Sequence, residues 1–355
     1  MLSAELKLLA WEVTRRCNLD CAHCRAASRY GEYPGELTRE AGFRLLDELV
    51  SLGRPIVILT GGEPLLRPDI FELASYGSLL GLRMVLATNA TLVTDETARK
   101  LMEAGIKRVS VSIDGPEAES HDSFRRVPGA FAGALAGIAA MKRVGLEFQI
   151  NTTITRGNLP QIEDIHRLAI SLGAVAHHIF LLVPTGRGRE MAAESISQEA
   201  YEKTLEWFVH AGESCSIQLK ATCAPHYFRI LHQKGKQQQK RGGHPFHSLT
   251  RGCMGGSSFC FISHTGQAQP CGYLEVDCGL LVRQSFREIW SDSPVFNRLR
   301  QLDLYGGKCG ACEFLKICGG CRARAYEETG DYLAEEPFCL YQPRAQDYGR
   351  GTGNG

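Results

Sequence analysis

Six short apolar runs recur along the first half of the chain: LLAWEV (8–13), IVILT (56–60), MVLAT (84–88), VSVSI (109–113), FQINTTI (148–154) and HIFLLV (178–183). Continuous runs of this length, rich in β-branched residues, suit strands buried on both faces. The segments between them carry helix signals. Thr38 precedes EAGFRLLDELVSLG with Gly53 as a stop, Thr94 precedes DETARKLMEAG, and Asn158 precedes LPQIEDIHRLAISLG. Each of these polar residues can satisfy a free N–H at a helix start. Six strand-then-helix units predict an α/β fold with a parallel sheet, open or curled into a partial (β/α)6 TIM-like barrel. Functional groups should then collect at the C-terminal ends of the strands.

The chain holds fourteen cysteines, three within the first 24 residues, none from 25 to 214 and eleven from 215 to 339. The formal charge is +1 with Lys and Arg spread along the chain, which argues against a nucleic-acid surface. The opening MLSAELKLLA does not read as a signal peptide, and no apolar run approaches the length of a membrane span. The expected setting is the cytoplasm, with no membrane partner. There, reducing conditions disfavour disulfides and make metal or cluster ligation the better use of so many thiols.

The cysteine pattern divides the chain into expected parts. Residues 1–213 form the barrel, 214–250 a bridging segment, 251–345 a small Cys-rich domain and 346–355 a disordered, Gly-rich tail. The basic stretch HQKGKQQQKRGGHPFH (232–247) reads as a solvated loop or a lid. Within the Cys-rich part, FCFISHTGQAQPCGYL reads as a hairpin turning at Thr265-Gly266.

Cys17, Cys21 and Cys24 lie on one short loop, RRCNLDCAHC, directly after the first strand. Thiolates are soft ligands suited to iron, and three of them can hold three corners of an iron-sulfur cluster while leaving one iron open. A zinc site completed by His23 or by a distant residue is the alternative from spacing alone.

CNLDCAHC resembles the CxxxCxxC signature of the radical S-adenosylmethionine enzymes, and the resemblance runs over about residues 7 to 185. It implies that Cys17, Cys21 and Cys24 bind a catalytic 4Fe-4S cluster whose fourth iron is chelated by S-adenosylmethionine. Gly61, Gly62, Glu63 and Pro64 resemble the family's segment that meets the methionine amino group. Asn89, Ser112 and Asp114, at later strand ends, correspond to contacts with the ribose and carboxylate. His23 stands where an aromatic residue packs near the adenine. The reduced cluster would then yield a 5′-deoxyadenosyl radical that removes hydrogen from substrate.

Further on, CGACEFLKICGGC (309–321), Cys339 and the C-x12-G-x4-C pattern from Cys253 to Cys271 resemble the SPASM extension, which carries auxiliary 4Fe-4S clusters. The departure is two residues between Cys318 and Cys321 where three are usual. One or two such clusters are implied. Cys253, Cys260, Cys271 and Cys321 would form one ligand set, and Cys309, Cys312, Cys318 and Cys339 the other. A zinc-ribbon-like site is the alternative for CxxC pairs. Cys215, Cys223 and Cys278 are surplus, although Cys223 could lie near a substrate or replace one proposed ligand.

KATCAPHYFRI (220–230), the segment 251–279 and the segment 309–343 resemble the haem synthases of the alternative haem pathway, and LLVPTGRG (181–188) fits that group. The resemblance implies radical oxidative decarboxylation of two propionates of iron-coproporphyrin III to vinyl groups, giving haem b. A low-potential donor such as ferredoxin or flavodoxin would supply electrons. A porphyrin with four carboxylates calls for cationic partners, and Arg187, Arg189, Arg229 and Arg251 lie in or near these segments. His177, His178 and His226 are candidate axial ligands, and Tyr227 and Phe228 could flank the macrocycle. Side-chain removal from a sirohaem derivative and maturation of a peptide or sulfatase use related chemistry and remain open. So does a non-enzymatic cluster or haem carrier, although GGEP has no obvious purpose there.

Overall fold

The computed structural model describes residues 5–235 and 252–344. Its strands are β1 (Leu8–Thr14), β2 (Ile56–Gly61), β3 (Arg83–Thr88), β4 (Val109–Ser112), β5 (Phe148–Ile154), β6 (Ala176–Leu181), β7 (Gln218–Thr222), β8 (Phe259–Ile262), β9 (Gln267–Gln269) and β10 (Gly279–Leu280). They form one sheet in the order β10-β9-β8-β1-β2-β3-β4-β5-β6-β7. The ladder from β8 through β1 to β7 is parallel throughout, and β9 and β10 add antiparallel at one edge. Among the described residues no pairing joins the two ends of this order, so the sheet they form is an incomplete barrel.

All six expected strands form, the sixth two residues earlier than the apolar run suggests. Two further parallel strands come from segments assigned elsewhere by sequence. Residues 218–222, in the expected bridging segment, become β7, and 259–262, in the Cys-rich part, become β8 against β1. The long-range register across β1 and β8, Leu9 with Cys260 and Trp11 with Ile262, cannot be seen in local patterning. The hairpin expected at Thr265-Gly266 is present between β8 and β9. Residues 236–251, which include most of the basic stretch, and the tail 346–355 lie outside the described residues.

The helices begin where the caps predict. Thr38 Oγ1 accepts the Ala41 N–H at 3.2 Å, opening α1 (Arg39–Ser51), and Thr94 does the same for Thr97 at 3.1 Å. After Asn158 a single 3-10 turn precedes the helix Ile162–Leu172. Helices cover the outer face of the sheet. Gly42 of α1 lies so close to Trp11 that a Cβ there would stand 2.5 Å from the indole. Trp11, Leu46, Leu73, Met84, Val109 and Ile138 belong to the resulting core, where each fully buried side chain contributes about 1.5–3 kcal/mol.

The inner face differs. Along β4 to β7, the outward residues Val111, Thr152, Ile179 and Leu219 are buried, whereas Ser112, Asn151, His178 and Lys220 are only half-buried. Period-two alternation therefore separates a packed outer layer from an interior with room beside it.

Candidate functional site

The loop after β1 is held from several sides. The Cys17 N–H donates to Arg29 O at 3.1 Å, and Ala22 N–H to Phe124 O at 3.0 Å. Arg187, which is buried, donates from Nε to Cys21 O at 2.8 Å and from Nη2 to Ser28 O at 3.1 Å, and pairs with Asp20 at 2.9 Å. Its own N–H bonds Cys24 O at 3.0 Å. The substrate role expected for Arg187 is therefore corrected: its Nε and Nη2 are spent on backbone carbonyls of the cysteine loop and its Nη1 faces Asp20.

Cys17, Cys21 and Cys24 pack together with Leu19 and Ala130. Each sulfur faces a donor: Leu19 N–H at 3.4 Å from Cys17, Arg125 Nη1 at 3.5 Å from Cys21, and Ser28 N–H at 3.3 Å from Cys24. Burial pushes the Cys17 thiol up to about 12, and a bound metal would favour its thiolate. Three soft donors with N–H groups aimed at their sulfurs fit ligation to three corners of a 4Fe-4S cluster.

Gly61 and Gly62 let the next loop lie directly on this one. Gly62 N–H donates to Thr14 O at 2.8 Å and Glu63 N–H to Arg16 O at 2.7 Å. A Cβ on Gly62 would sit 2.3 Å from Arg16 O, and one on Gly61 2.3 Å from Thr14 O. The Glu63 carboxylate is fully buried and accepts from Thr88 Oγ1 at 2.7 Å, Asn89 N–H at 2.9 Å and Leu65 N–H at 3.1 Å. Burial pushes its pKa up to about 7 against those hydrogen bonds. A buried carboxylate of this kind fits an ammonium ligand, which would restore its ionised form. Pro64 follows at the first position of a 3-10 turn.

Asn89 Nδ2 donates to Asn18 Oδ1 at 2.9 Å, which ties the third strand's end to the cysteine loop. Ser112 ends β4 on the inner face. Asp114 is buried and ion-paired with Arg125, and its Oδ1 accepts Thr153 N–H at 2.7 Å. Arg125 is the residue the sequence reading missed. Its guanidinium is buried between Asp114 and Cys21, and its Nε has no partner, which fits an anion beside the cluster. His23 stacks on Phe124 at 4.4 Å between centroids, and its Nδ1 is unpartnered.

The C-terminal cysteines gather in two groups. Cys309, Cys312, Cys318 and Cys339 line one cavity, with His226 and Arg229 in its wall. Cys309 Sγ receives Arg322 Nη2 at 3.5 Å and the Glu336 N–H at 3.4 Å. Among the described residues, no three His, Cys, Asp or Glu side chains converge closely enough to share a single ion. The four thiols ring a space instead, which suits a polynuclear group bound at separated corners.

The other group requires a correction. Cys260 lies in β8 beside Leu9, whose side chain belongs to the outer, helix-covered core. It is fully buried there, with its Sγ 3.5 Å from Gln269 O and Cys278 nearby. It therefore points away from Cys253, Cys271 and Cys321. Cys223 stands with those three instead. Burial, then Cys321 and Cys271, and further Cys253, all push the Cys223 thiol up. Cys223 also has φ +55°, a left-handed conformation costing a non-glycine residue about 1 kcal/mol, and Arg324 Nη2 holds its carbonyl at 3.1 Å. Arg25, next to Cys24, links this group to the first loop. It pairs with Glu12 at 2.8 Å, lies 4.4 Å over Phe261 and reaches Gly272 O at 3.5 Å.

The other substrate candidates are also accounted for. Arg189 is exposed and pairs with Glu327 at 3.3 Å. Arg229 binds Glu202 at 2.5 Å and Gln233 at 2.6 Å. His226 is fully buried at the four-cysteine cavity, not in the barrel interior. His177 faces outward, bonded to Thr152 and His166, and Tyr227 and Phe228 are core. Cys215 lies 3.6 Å from His166 Nε2. Arg251 lies outside the described residues.

Comparison with known proteins gives a consistent picture. Residues 11–169 match the model of the radical SAM superfamily, and residues 253–322 that of the SPASM iron-sulfur cluster-binding domain. The chain is 52% identical to an AdoMet-dependent heme synthase of Oleidesulfovibrio alaskensis, over 96% of this chain and 89% of that one. It is also 52% identical to an AdoMet-dependent heme synthase of Methanosarcina barkeri, over 95% and 97% of the two chains. The crystal structure of Streptococcus suis SuiB bound to S-adenosylmethionine superposes with a TM-score of 0.74 at 17% identity, covering 95% of this chain and 78% of that one.

Proposed function

The chain belongs to the radical SAM superfamily, and from that membership we infer that it converts two propionates of iron-coproporphyrin III to vinyl groups, giving haem b. The observation that carries this reading is kinship with haem synthases over nearly the whole chain, barrel and cysteine-rich region alike. When bound at Cys17, Cys21 and Cys24, a reduced 4Fe-4S cluster with S-adenosylmethionine supplies a 5′-deoxyadenosyl radical that takes one hydrogen atom from the substrate.

The residues around it hold and orient. The buried Glu63 carboxylate would receive the methionine ammonium, and Arg125 would neutralise negative charge beside Cys21. Asn89 and Ser112 face the same strand ends, and His23 with Phe124 offers a stacked surface for adenine. Arg187 keeps the loop in register, so that the reacting carbon meets a fixed geometry.

Each propionate, as R–CH2–CH2–COO⁻, gives R–CH=CH2 and CO2 after transfer of one hydrogen atom, and one electron remains. Auxiliary clusters held by Cys223, Cys253, Cys271 and Cys321, and by Cys309, Cys312, Cys318 and Cys339, would supply an acceptor for it. The enzyme works in the cytoplasm with a low-potential donor such as ferredoxin or flavodoxin. No helix among the described residues is long and apolar enough to cross a membrane.

The test is an anaerobic incubation of reconstituted protein with S-adenosylmethionine, dithionite and iron-coproporphyrin III, following porphyrin mass by chromatography. Two successive losses of CO2 with matching deoxyadenosine are expected. An unchanged porphyrin alongside sulfonium cleavage would overturn the substrate assignment.

A further inference from the structure

The interior of the barrel has two unlike walls. Leu8, Ile56 and Val85 cluster on β1, β2 and β3, with Ile58, Met254 and Phe259 packed against them. Over the neighbouring strands β4, β5, β6 and β7, the register sets Ser112, Asn151, His178 and Lys220 in one polar row. Each is half-buried, while the residues flanking it along its strand are buried on the opposite face. Ser112 lies at the strand end where the methyl donor is expected, and Lys220 lies at the far end of the row.

Hydrogen bonding within this row leaves two donors unspent. The Gln149 amide nitrogen lies 2.9 Å from Asn151 Oδ1 and 3.0 Å from His178 Nδ1. An amide nitrogen carries two N–H groups and accepts nothing, so His178 Nδ1 is the acceptor and Nε2 bears the proton. Burial, with Lys220 adding to it, holds the ring neutral. Neither His178 Nε2 nor the Lys220 ammonium has a partner among the described residues. Burial pulls the Lys220 pKa down, as expected for an ammonium lacking a counter-charge. The contrast with Arg187, Arg189 and Arg229 is direct, since each of those is already paired within the protein.

We propose that Lys220, with His178 beside it, is the receptor for a carboxylate side chain of the substrate. A propionate there would accept from the ammonium and from the imidazole N–H. This rests on the tetrapyrrole reading of the site and adds to it the residue that selects for an acidic side chain. Lys220 is a positioning residue for an edge of the substrate and takes no proton or electron in the reaction.

The experiment is anaerobic titration of iron-coproporphyrin III into reconstituted wild-type, Lys220→Met and Lys220→Arg proteins, read at the Soret band. Lys220→Met should raise Kd about tenfold or more, the scale of one lost charge-assisted hydrogen bond, and Lys220→Arg should restore most of the affinity. Iron content and S-adenosylmethionine affinity should match wild type in both. Lys220→Gln is read the same way if Lys220→Met fails to retain iron. Equal porphyrin affinity in the Met variant, or equal loss in the Arg and Met variants, overturns the proposal while leaving the haem synthase reading intact. A wild-type protein that neither binds nor decarboxylates the porphyrin removes the reading and the proposal together.

Discussion

The backbone N–H of Cys253 donates to the carbonyl oxygen of Cys318 at 2.9 Å, so the two C-terminal cysteine groups are joined by a direct hydrogen bond. Gly252 beside it donates to Ile317 O at 2.8 Å, and a Cβ there would stand 2.1 Å from Cys318 O. Glu336 closes the same junction. Its buried carboxylate accepts Cys321 N–H at 2.6 Å and pairs with Arg324 at 3.1 Å, while its own N–H faces Cys309 Sγ. Thiols from both groups are thus fixed by one set of bonds.

The proposal that Cys223 replaces Cys260 as a cluster ligand can be read from metal content. Cys223→Ser should lose about four irons per chain, the content of one cubane cluster. Cys260→Ala should keep its iron and lose only stability, because that thiol is packed in the outer core. Iron analysis with Mössbauer spectroscopy separates the two, and the opposite pattern would restore Cys260 to the ligand set.

Loss of a first-loop cysteine should differ from loss of an auxiliary one. Cys17→Ala is expected to abolish deoxyadenosine formation. Cys312→Ala, at the four-cysteine cavity, should retain some sulfonium cleavage while losing most decarboxylated product. Chromatographic measurement of deoxyadenosine and porphyrin in the same reaction gives the ratio. Equal loss of both in a correctly metallated Cys312 variant would count against a purely auxiliary role.

Gly62→Ala should damage the donor site by forcing two loops apart. The new methyl carbon would meet Arg16 O at 2.3 Å and Arg15 O at 2.6 Å, both backbone atoms that cannot swing away. Overpacking of this kind costs about 1–3 kcal/mol. It should also weaken S-adenosylmethionine binding, because the adjacent Glu63 moves with the loop. Calorimetric affinity for the methyl donor is the measurement, and wild-type affinity would show that the loops accommodate the change.

Glu12 predicts an acid-dependent loss of stability. Burial raises its pKa, but Arg25, His264 and Arg15 outweigh that and hold it down at about 2, below the ordinary 4.5. Its ionised form therefore contributes about 3 kcal/mol to the folded state, present above pH 4.5 and lost as pH falls toward 2. Glu12→Gln should be less stable at pH 7, with a shallower decline below pH 4.5. Denaturant unfolding followed by tryptophan fluorescence, across that pH range, tests this; parallel curves would place the acid sensitivity elsewhere.

Local chemistry was legible in the sequence alone. The β-branched runs specified the first six strands, Thr38 and Thr94 specified helix starts, and the spacing of Cys17, Cys21 and Cys24 specified a three-thiol loop at a strand end. All these depend on contacts within a few residues. The Gly-Gly step before Glu63 was legible for the same reason, although the cause of its need for glycine, the carbonyls of Thr14 and Arg16, became visible only in the fold.

Tertiary structure alone decided which side chains meet across long separations. Cys260 fits the spacing of a ligand, but its register against Leu9 turns it to the helix-covered face, because side chains on a strand alternate. Cys223 stands beside Cys271 and Cys321 instead, on a distant segment that arrives only when β7 joins the sheet. Arg187, Arg189 and Arg229, which suit a carboxylate by composition, each hold protein groups, whereas Lys220 has no partner among the described residues. Sequence determines which donors a chain possesses. Strand register and long-range packing determine which of them remain free to act.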